Sequence, residues 1–174
     1  MRRTWLAIGI AVACIRPAHA RPALPWEKPD LSVTVVAPSD IDRSGGEVDA
    51  AIVISDSGPL LPLGRGVNDV TLHATVSSWP IVGCSNDGNL ACDCDQNNFD
   101  ANLDLVFTCT GSILQNSTVV VHLFAIPQAL FEGQCPEPNP VTVDATVSTS
   151  AGERSYADNF ASSSTMVDGC PLSP

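Results

Sequence analysis

A period-two alternation of apolar and polar residues is the feature of this sequence that most narrows the folds open to it. Successive side chains of a β-strand point to opposite faces, so such a spacing predicts a strand with one face in the core. The clearest case is the segment Val141 to Ser148, where apolar residues occupy every second place. No stretch sustains the 3.6-residue period of an amphipathic helix.

Six further segments carry a strand pattern. They are Leu31 to Val36, Glu47 to Ser55, Val67 to Val76, Leu103 to Cys109, Ser117 to Ile126 and Phe160 to Val167. Short strands separated by Gly, Pro, Asn and Asp are typical of two packed antiparallel sheets. The sequence therefore predicts an all-β protein, an antiparallel β-sandwich of about seven strands.

The first twenty residues have the pattern of an export signal. They begin with two arginines, continue through an apolar run and end on Ala18-His19-Ala20, which predicts cleavage after Ala20. The apolar run is too short to span a membrane. Residues 21–29 contain three prolines and are predicted as an extended linker. The folded domain is then predicted over residues 30–168, followed by a short tail, 169–174.

Lipidation is a second interpretation of the leader, because Ala11-Val12-Ala13-Cys14 loosely resembles a bacterial lipoprotein cleavage box. The leucine that usually stands three residues before the cysteine is absent, and the complete apolar run favours conventional cleavage. Both routes leave six cysteines in the mature chain. An even number of cysteines in an exported chain predicts disulfides, and hence a periplasmic, cell-surface or extracellular protein.

The mature chain is strongly acidic. Cleavage after Ala20 leaves five basic residues against nineteen acidic ones, a net charge of −14, with Lys28 as the only lysine. This excess disfavours nucleic acid and anionic lipid surfaces as partners. It fits a solvated surface, a divalent cation or a basic partner.

One disulfide is predicted from strand order. Cys135 lies just before the strand Val141 to Ser148, and Cys170 lies just after the strand Phe160 to Val167. If these two strands fold back on each other antiparallel, their outer ends are adjacent. The sequence therefore predicts a Cys135–Cys170 bond.

The other four cysteines leave two pairings open. Either Cys84 bonds Cys109 and Cys92 bonds Cys94, or Cys92 and Cys94 reach outward to Cys84 and Cys109 separately. A bridge between Cys92 and Cys94 would be strained. Zinc binding by this Cys-x-Cys pair is disfavoured, because zinc ligands are usually separated by at least two residues.

The segment Asp93 to Asp104 is the candidate metal site. Asp93, Asp95, Asn97 and Asp104 take the first, third, fifth and twelfth places of an EF-hand-type calcium loop. The sixth place, usually glycine, is Asn98. The alternative is a polar surface loop that binds no metal. No cofactor other than calcium is indicated.

Catalysis has few candidate residues. The mature chain contains only His73, predicted on an outward strand face, and His122, and no Gly-x-Ser-x-Gly elbow or phosphate loop accompanies them. The sequence therefore predicts a protein that is not an enzyme, with a small secreted hydrolase that uses His122 as the alternative. Aromatic residues are scarce, which disfavours an exposed aromatic platform for sugars.

Three segments share an ordered pattern with a known family. They are Asp30 to Thr34 with the Gly45-Gly46 turn and Asp56-Ser57-Gly58-Pro59; Cys109 to Leu114 with Ser117 to Val121; and Val143 to Val147 with Asp158 to Ser162. Together they resemble the bacterial repeat module called domain of unknown function eleven and its relative, the bacterial cell-adhesion-related domain. The likeness covers residues 30 to about 167.

This resemblance implies an immunoglobulin-like sandwich in an exported bacterial surface protein, with a structural, adhesion or protein-binding role and no catalysis. It also favours pairing Cys84 with Cys109. Two departures stand out: the family often occurs as tandem repeats and this chain has no second copy, and residues 84–103 form a predicted insertion loop that is not typical of the family. Because functional residues are concentrated in loops, we expect any special function in this insertion.

Overall fold

The structure, a computed structural model, describes residues 28–42, 48–58, 66–77, 81–94, 98–100, 104–125 and 140–168. These residues form strands and connecting turns, with no helix among them. The strands are β1 (Leu31–Val36), β2 (Asp40–Asp42), β3 (Val48–Asp56), β4 (Val67–Val76), β5 (Ile81–Asn86), β6 (Asn89–Asp93), β7 (Leu105–Ile113), β8 (Thr118–Ala125), β9 (Val141–Thr149) and β10 (Phe160–Asp168).

The strands form two sheets. The smaller has the order β1-β3-β8-β5 and the larger the order β2-β10-β9-β4-β7-β6. All pairs are antiparallel except β2 and β10, which run parallel. The chain changes sheet at each connection between successive described strands except β6–β7 and β9–β10. With β1-β3-β8 facing β10-β9-β4-β7, this is the strand arrangement of an immunoglobulin-like sandwich, and it confirms the predicted fold class.

The core lies between the sheets and is almost entirely aliphatic. Phe107 on β7 is its largest fully buried side chain, and β4 contributes Val70, Leu72, Ala74 and Val76 from every second position. Thr71, His73 and Thr75 point to the other side, as the alternation predicts. The period-two pattern thus selects which face of the strand is buried.

One lateral edge of the sandwich is closed by a change of sheet. β1 pairs with β3 in the smaller sheet, and after Pro38 the chain continues as β2 beside β10 in the larger sheet. Pro38 has no N–H group and cannot continue the β1 ladder. Its carbonyl instead accepts a hydrogen bond from Thr165 Oγ1 at 2.8 Å, and the Ser39 carbonyl accepts one from Met166 N at 3.0 Å.

The opposite edge is closed by disulfides, in a region the sequence assigns to a loop. Within the predicted insertion loop 84–103, residues 84–86 lie in β5 and residues 89–93 in β6. β5 pairs with β8 at the edge of the smaller sheet, and β6 pairs with β7 at the edge of the larger one. These two strands, with the short β2, bring the number of strands in the described ranges to ten.

The disulfides join Cys84 to Cys94 and Cys92 to Cys109, with Cα–Cα distances of 6.2 and 4.0 Å. The Cys84–Cys109 and Cys92–Cys94 pairings are therefore wrong, and the outward alternative describes the structure. The reason is the strand register: Cys92 stands directly opposite Cys109 in the β6–β7 ladder. Cys94 directly follows β6 and bonds Cys84 on β5 of the other sheet. The Cys84–Cys94 bond therefore ties the two sheets together.

Several predicted features fall outside the described residues. These are the export signal 1–20 with Cys14, most of the linker 21–29, the Cys135–Cys170 bond, Asp95 and Asn97 of the acidic segment, and the tail 169–174. Across the described ranges, no helix has the length and hydropathy needed to cross a membrane.

Candidate binding face

The outer face of the larger sheet is rich in hydroxyl groups. Threonine and serine occupy most outward positions of β10, β9, β4 and β7, where β-branched threonine packs well on a pleated surface. The outward hydroxyl residues are Thr71, Thr75, Thr108, Thr110, Thr142, Thr146, Ser148, Ser162 and Ser164, all of them exposed or half-buried. This face is polar without being densely charged.

Five side chains line up across this face at right angles to the strands. The ladder pairs Phe160 with Thr146, Thr146 with His73, His73 with Thr108 and Thr108 with Asp93. We call these five residues the transverse row. Neighbouring strands lie about 4.8 Å apart, so the row spans about 19 Å. In order across the sheet, the row presents an aromatic ring, a hydroxyl, an imidazole, a second hydroxyl and a carboxylate.

Phe160 is the member of the row that sequence reasoning missed. Its side chain is 59% exposed, although it begins a strand whose other end is buried. The scarcity of aromatic residues disfavours an aromatic platform. The alternation along β10, however, indicates that Phe160 is exposed. Phe160, Ser162 and Ser164 share one parity and therefore one face, which is the solvent-facing one.

Contacts within and beneath the sheet fix the row in place. The Cys92–Cys109 disulfide crosslinks the residues that adjoin Asp93 and Thr108, so the relative position of these two side chains is covalently held. Thr142 Oγ1 and Ser164 Oγ lie 3.3 Å apart across β9 and β10. A face held in this way loses little conformational freedom when it binds.

The outer face of the smaller sheet carries a second ordered group. His122 Nδ1 lies 3.0 and 3.2 Å from the two carboxylate oxygens of Asp49, and Ser85 stands opposite His122 in the β5–β8 ladder. A Ser-His-Asp triad requires the serine to be bonded to the histidine and donors to hold an oxyanion. No hydrogen bond of the described residues joins Ser85 to the imidazole, and the His122 and Asp49 side chains are 37% and 50% exposed. The pair orients His122 as a surface contact residue.

The acidic segment is partly described. Asp93 ends β6 in the transverse row, whereas Asp104 precedes β7, where Asp100 N donates to Asp104 O and Asp104 N donates to Asp100 Oδ1, both at 3.0 Å. Burial, together with the charges of Asp100 and Asp144, raises the pKa of Asp104. Among the described residues, no three His, Cys, Asp or Glu side chains are grouped to hold a metal ion. Calcium binding by Asp93, Asp95, Asn97 and Asp104 stays a prediction.

A buried carboxylate at one end of the sandwich is a feature that the sequence does not indicate. Glu153, in the β9–β10 connection, is 4% exposed. Its Oε2 accepts a hydrogen bond from Leu31 N at 3.2 Å and its Oε1 accepts one from Asn159 Nδ2 at 2.8 Å. Asn159 Nδ2 also donates to Val147 O at 3.0 Å. Glu153 thus ties the start of β1 to the loop between β9 and β10.

The surroundings of Glu153 favour its neutral form. Burial raises the pKa of this carboxyl group, the hydrogen bonds from Asn159 and Leu31 lower it, and the nearby charges of Asp158 and Asp30 raise it further, with a net increase. Within the described ranges, no basic side chain makes an ion pair with Glu153; the ion pair there is His122 with Asp49. The Glu153 carboxyl group is therefore a structural group, which the described residues hold by hydrogen bonds and whose neutral form burial favours.

Comparison with known proteins finds similar solved structures and no related family. No family model matches it, and no curated protein matches it. Solved structures similar to it include a cohesin module from a family 33 glycoside hydrolase of Clostridium perfringens, with 7% identity, a TM-score of 0.46, and coverage of 81% of this chain and 97% of the module.

Two other solved structures are similar at the same level. The major subunit of aggregative adherence fimbriae type I from Escherichia coli has 13% identity and a TM-score of 0.41, covering 80% of this chain and 95% of the subunit. An uncharacterized protein from Nocardia farcinica with an immunoglobulin-like fold has 15% identity and a TM-score of 0.34, covering 78% and 98%. Similarities with these identities and TM-scores assign no function to the chain.

Proposed function

We propose that this protein is an exported, non-enzymatic immunoglobulin-like module that binds a partner at the bacterial envelope or outside the cell. The observation that carries the proposal is the transverse row, five chemically different side chains aligned on a rigid sheet face. Aromatic, hydroxyl, imidazole and carboxylate groups together offer stacking, donation and acceptance of hydrogen bonds. Such a combination suits recognition, because few groups placed with precision decide specificity.

Export is supported by the leader pattern and by the disulfides. Disulfides persist in oxidising compartments, and two of them lie in the described residues. A structural, adhesion or protein-binding role at the cell surface is what the resemblance to the bacterial repeat modules implies. The acidic surface favours partners that are neutral or basic.

The absence of catalysis is supported by how the two histidines are held. His73 is exposed in the middle of a sheet face, and His122 is bonded to Asp49, with no nucleophile of the described residues bonded to its ring. Efficient general-base catalysis needs a base within hydrogen-bond reach of the proton it removes, in a site that excludes water. Both faces suit contact better than chemistry.

Binding of the labelled mature protein to intact cells of its own bacterium tests the proposal. The change is His73→Asp, which adds a charge at the centre of the row on an exposed position that the fold tolerates. We expect at least about a tenfold loss of affinity, the effect of removing a central contact of about 1.4 kcal/mol. The measurement is saturation binding by flow cytometry.

The matched control is Thr34→Asp, which adds the same charge at an exposed position on the outer face of the smaller sheet. It should bind as the wild type does. Equal binding by His73→Asp and the wild type would remove the transverse row from the proposal, and a loss in the Thr34→Asp variant alone would move the binding face to the other sheet.

A calcium-dependent binding module is the second candidate function. The observation in its favour is the crowding of carboxylates around Asp104, whose pKa is raised by burial and then by Asp100 and Asp144. A cation bound only by the native state stabilises it, so millimolar calcium should raise the melting temperature relative to chelator, and Asp104→Asn should remove most of that rise. Identical melting curves with calcium and with chelator would rule out the calcium-dependent function.

A further inference from the structure

We propose that the transverse row binds a neutral oligosaccharide that lies across the strands, with one sugar ring stacked on Phe160. This inference rests on the proposed function and names the chemical class of the partner. The proposed partner is a glycan. The tests below distinguish it from a protein partner and from a second copy of the chain.

The chemistry of the row fits a sugar. One face of a pyranose ring carries C–H groups and packs on an aromatic ring, and Phe160 is 59% exposed at the end of the row. The sugar hydroxyls both donate and accept hydrogen bonds. Thr146, His73 and Thr108 supply groups that do both, and Asp93 supplies an acceptor at the far end.

The charge of the face selects a neutral ligand. β6, β7, β4, β9 and β10 contain no lysine or arginine, and their charged residues are carboxylates apart from the imidazole of His73. An anionic glycan would meet Asp93 and Asp144 in a chain with a large acidic excess, and like charges without a base nearby oppose binding. Uronic acids and sulfated sugars are therefore disfavoured.

The shape of the face selects an extended ligand. The row crosses five strands over about 19 Å, several times the length of a single sugar ring. Because the five groups lie on five different strands, no single sugar reaches more than two or three of them. A chain of several sugars reaches all five.

The first test compares two treatments of the cells used above. Periodate cleaves the vicinal diols of glycans, whereas protease removes surface proteins. Periodate is expected to abolish binding of the wild-type protein and protease to leave it. Binding abolished by protease and retained after periodate would overturn the glycan and leave a protein partner, with the proposed function intact. An absence of binding to untreated cells would count against both the glycan assignment and the proposed function.

The second test uses an array of neutral oligosaccharides with uronic-acid oligosaccharides on the same slide. We expect binding to at least one neutral chain and to no uronic-acid chain. Phe160→Ala and Thr108→Val should each lower that affinity about tenfold, since one stacking or hydrogen-bonding contact is lost. Val36→Ala and Thr34→Val, the matched changes on the outer face of the smaller sheet, should leave it unchanged.

Three array results would overturn the glycan assignment: no neutral ligand, a preference for uronic acids, or equal affinities in the two row variants and the wild type. Thr108→Val removes only a hydroxyl from a side chain of nearly the same shape, so misfolding does not account for its effect. A dimer in sedimentation that is lost in Phe160→Ala would assign the face to a second copy instead.

Discussion

Replacing Cys92 and Cys109 together with alanine is expected to lower the free energy of unfolding by about 3 kcal/mol. The bond closes a loop with a sequence separation of 17, and a loop of about that length restricts the unfolded chain by about this amount. Cys109 is also fully buried, so the substitution removes packed sulfur from the core. Chemical denaturation of the oxidised double variant and of the oxidised wild type measures the difference.

The matched control is the pair Cys84→Ala and Cys94→Ala, whose bond has a separation of only 10. Its loss should cost less, because the entropy restricted by a crosslink grows with loop length. Peptide mapping of the oxidised wild type under non-reducing conditions gives an independent check. Fragments that join Cys84 to Cys109, or a peptide containing a Cys92–Cys94 bond, would contradict the connectivity described above.

Replacing Glu153 with alanine is expected to cost about 2–4 kcal/mol at acid pH. The change leaves Leu31 N and one hydrogen of Asn159 Nδ2 without their acceptor, and each buried donor left unpaired costs about 1–3 kcal/mol. Asp158→Ala, a change to an exposed neighbour, should stay within about 0.5 kcal/mol of the wild type.

The pH dependence of this loss has a definite sign. The folded pKa of Glu153 is raised, so the folded state holds its proton more tightly than the unfolded state does. The stabilisation from this proton is complete below the unfolded pKa of about 4.3 and is lost as the pH rises through the folded value. The difference between wild type and Glu153→Ala should therefore shrink from pH 4 toward neutrality. A difference that grows over that interval would show that the carboxylate is favoured in the folded state.

Much of the fold follows from local pattern. β1 and β4 begin and end at the predicted residues, because each buries one face and exposes the other. β5 and β6 escaped prediction because Gly83, Ser85, Asn86 and Asn89 break the alternation and resemble a turn-rich loop. They are strands because partners elsewhere in the chain, β8 and β7, supply their hydrogen bonds.

The candidate site depends on information that no local pattern holds. His73 was predictable as an outward residue, but its alignment with Phe160 and Asp93 follows from the register of five strands. The Cys92–Cys109 bond follows from the same register. Glu153 bonds to a residue 122 positions away, so nothing near it in the sequence marks it as buried.

The change of sheet between β1 and β2 has a mechanical consequence. β1 and β10 are the first and last strands described, and β1 leads through Pro38 into β2, which runs parallel to β10 with Asp40 opposite Met166. Tension applied before β1 and after β10 reaches β2 through β1, and it pulls β2 and β10 in opposite directions along their axes. Their hydrogen bonds, together with that between Thr165 Oγ1 and Pro38 O, are then strained together in shear and do not open one after another. A module tethered on one side and stretched on the other would resist unravelling at this pair of strands.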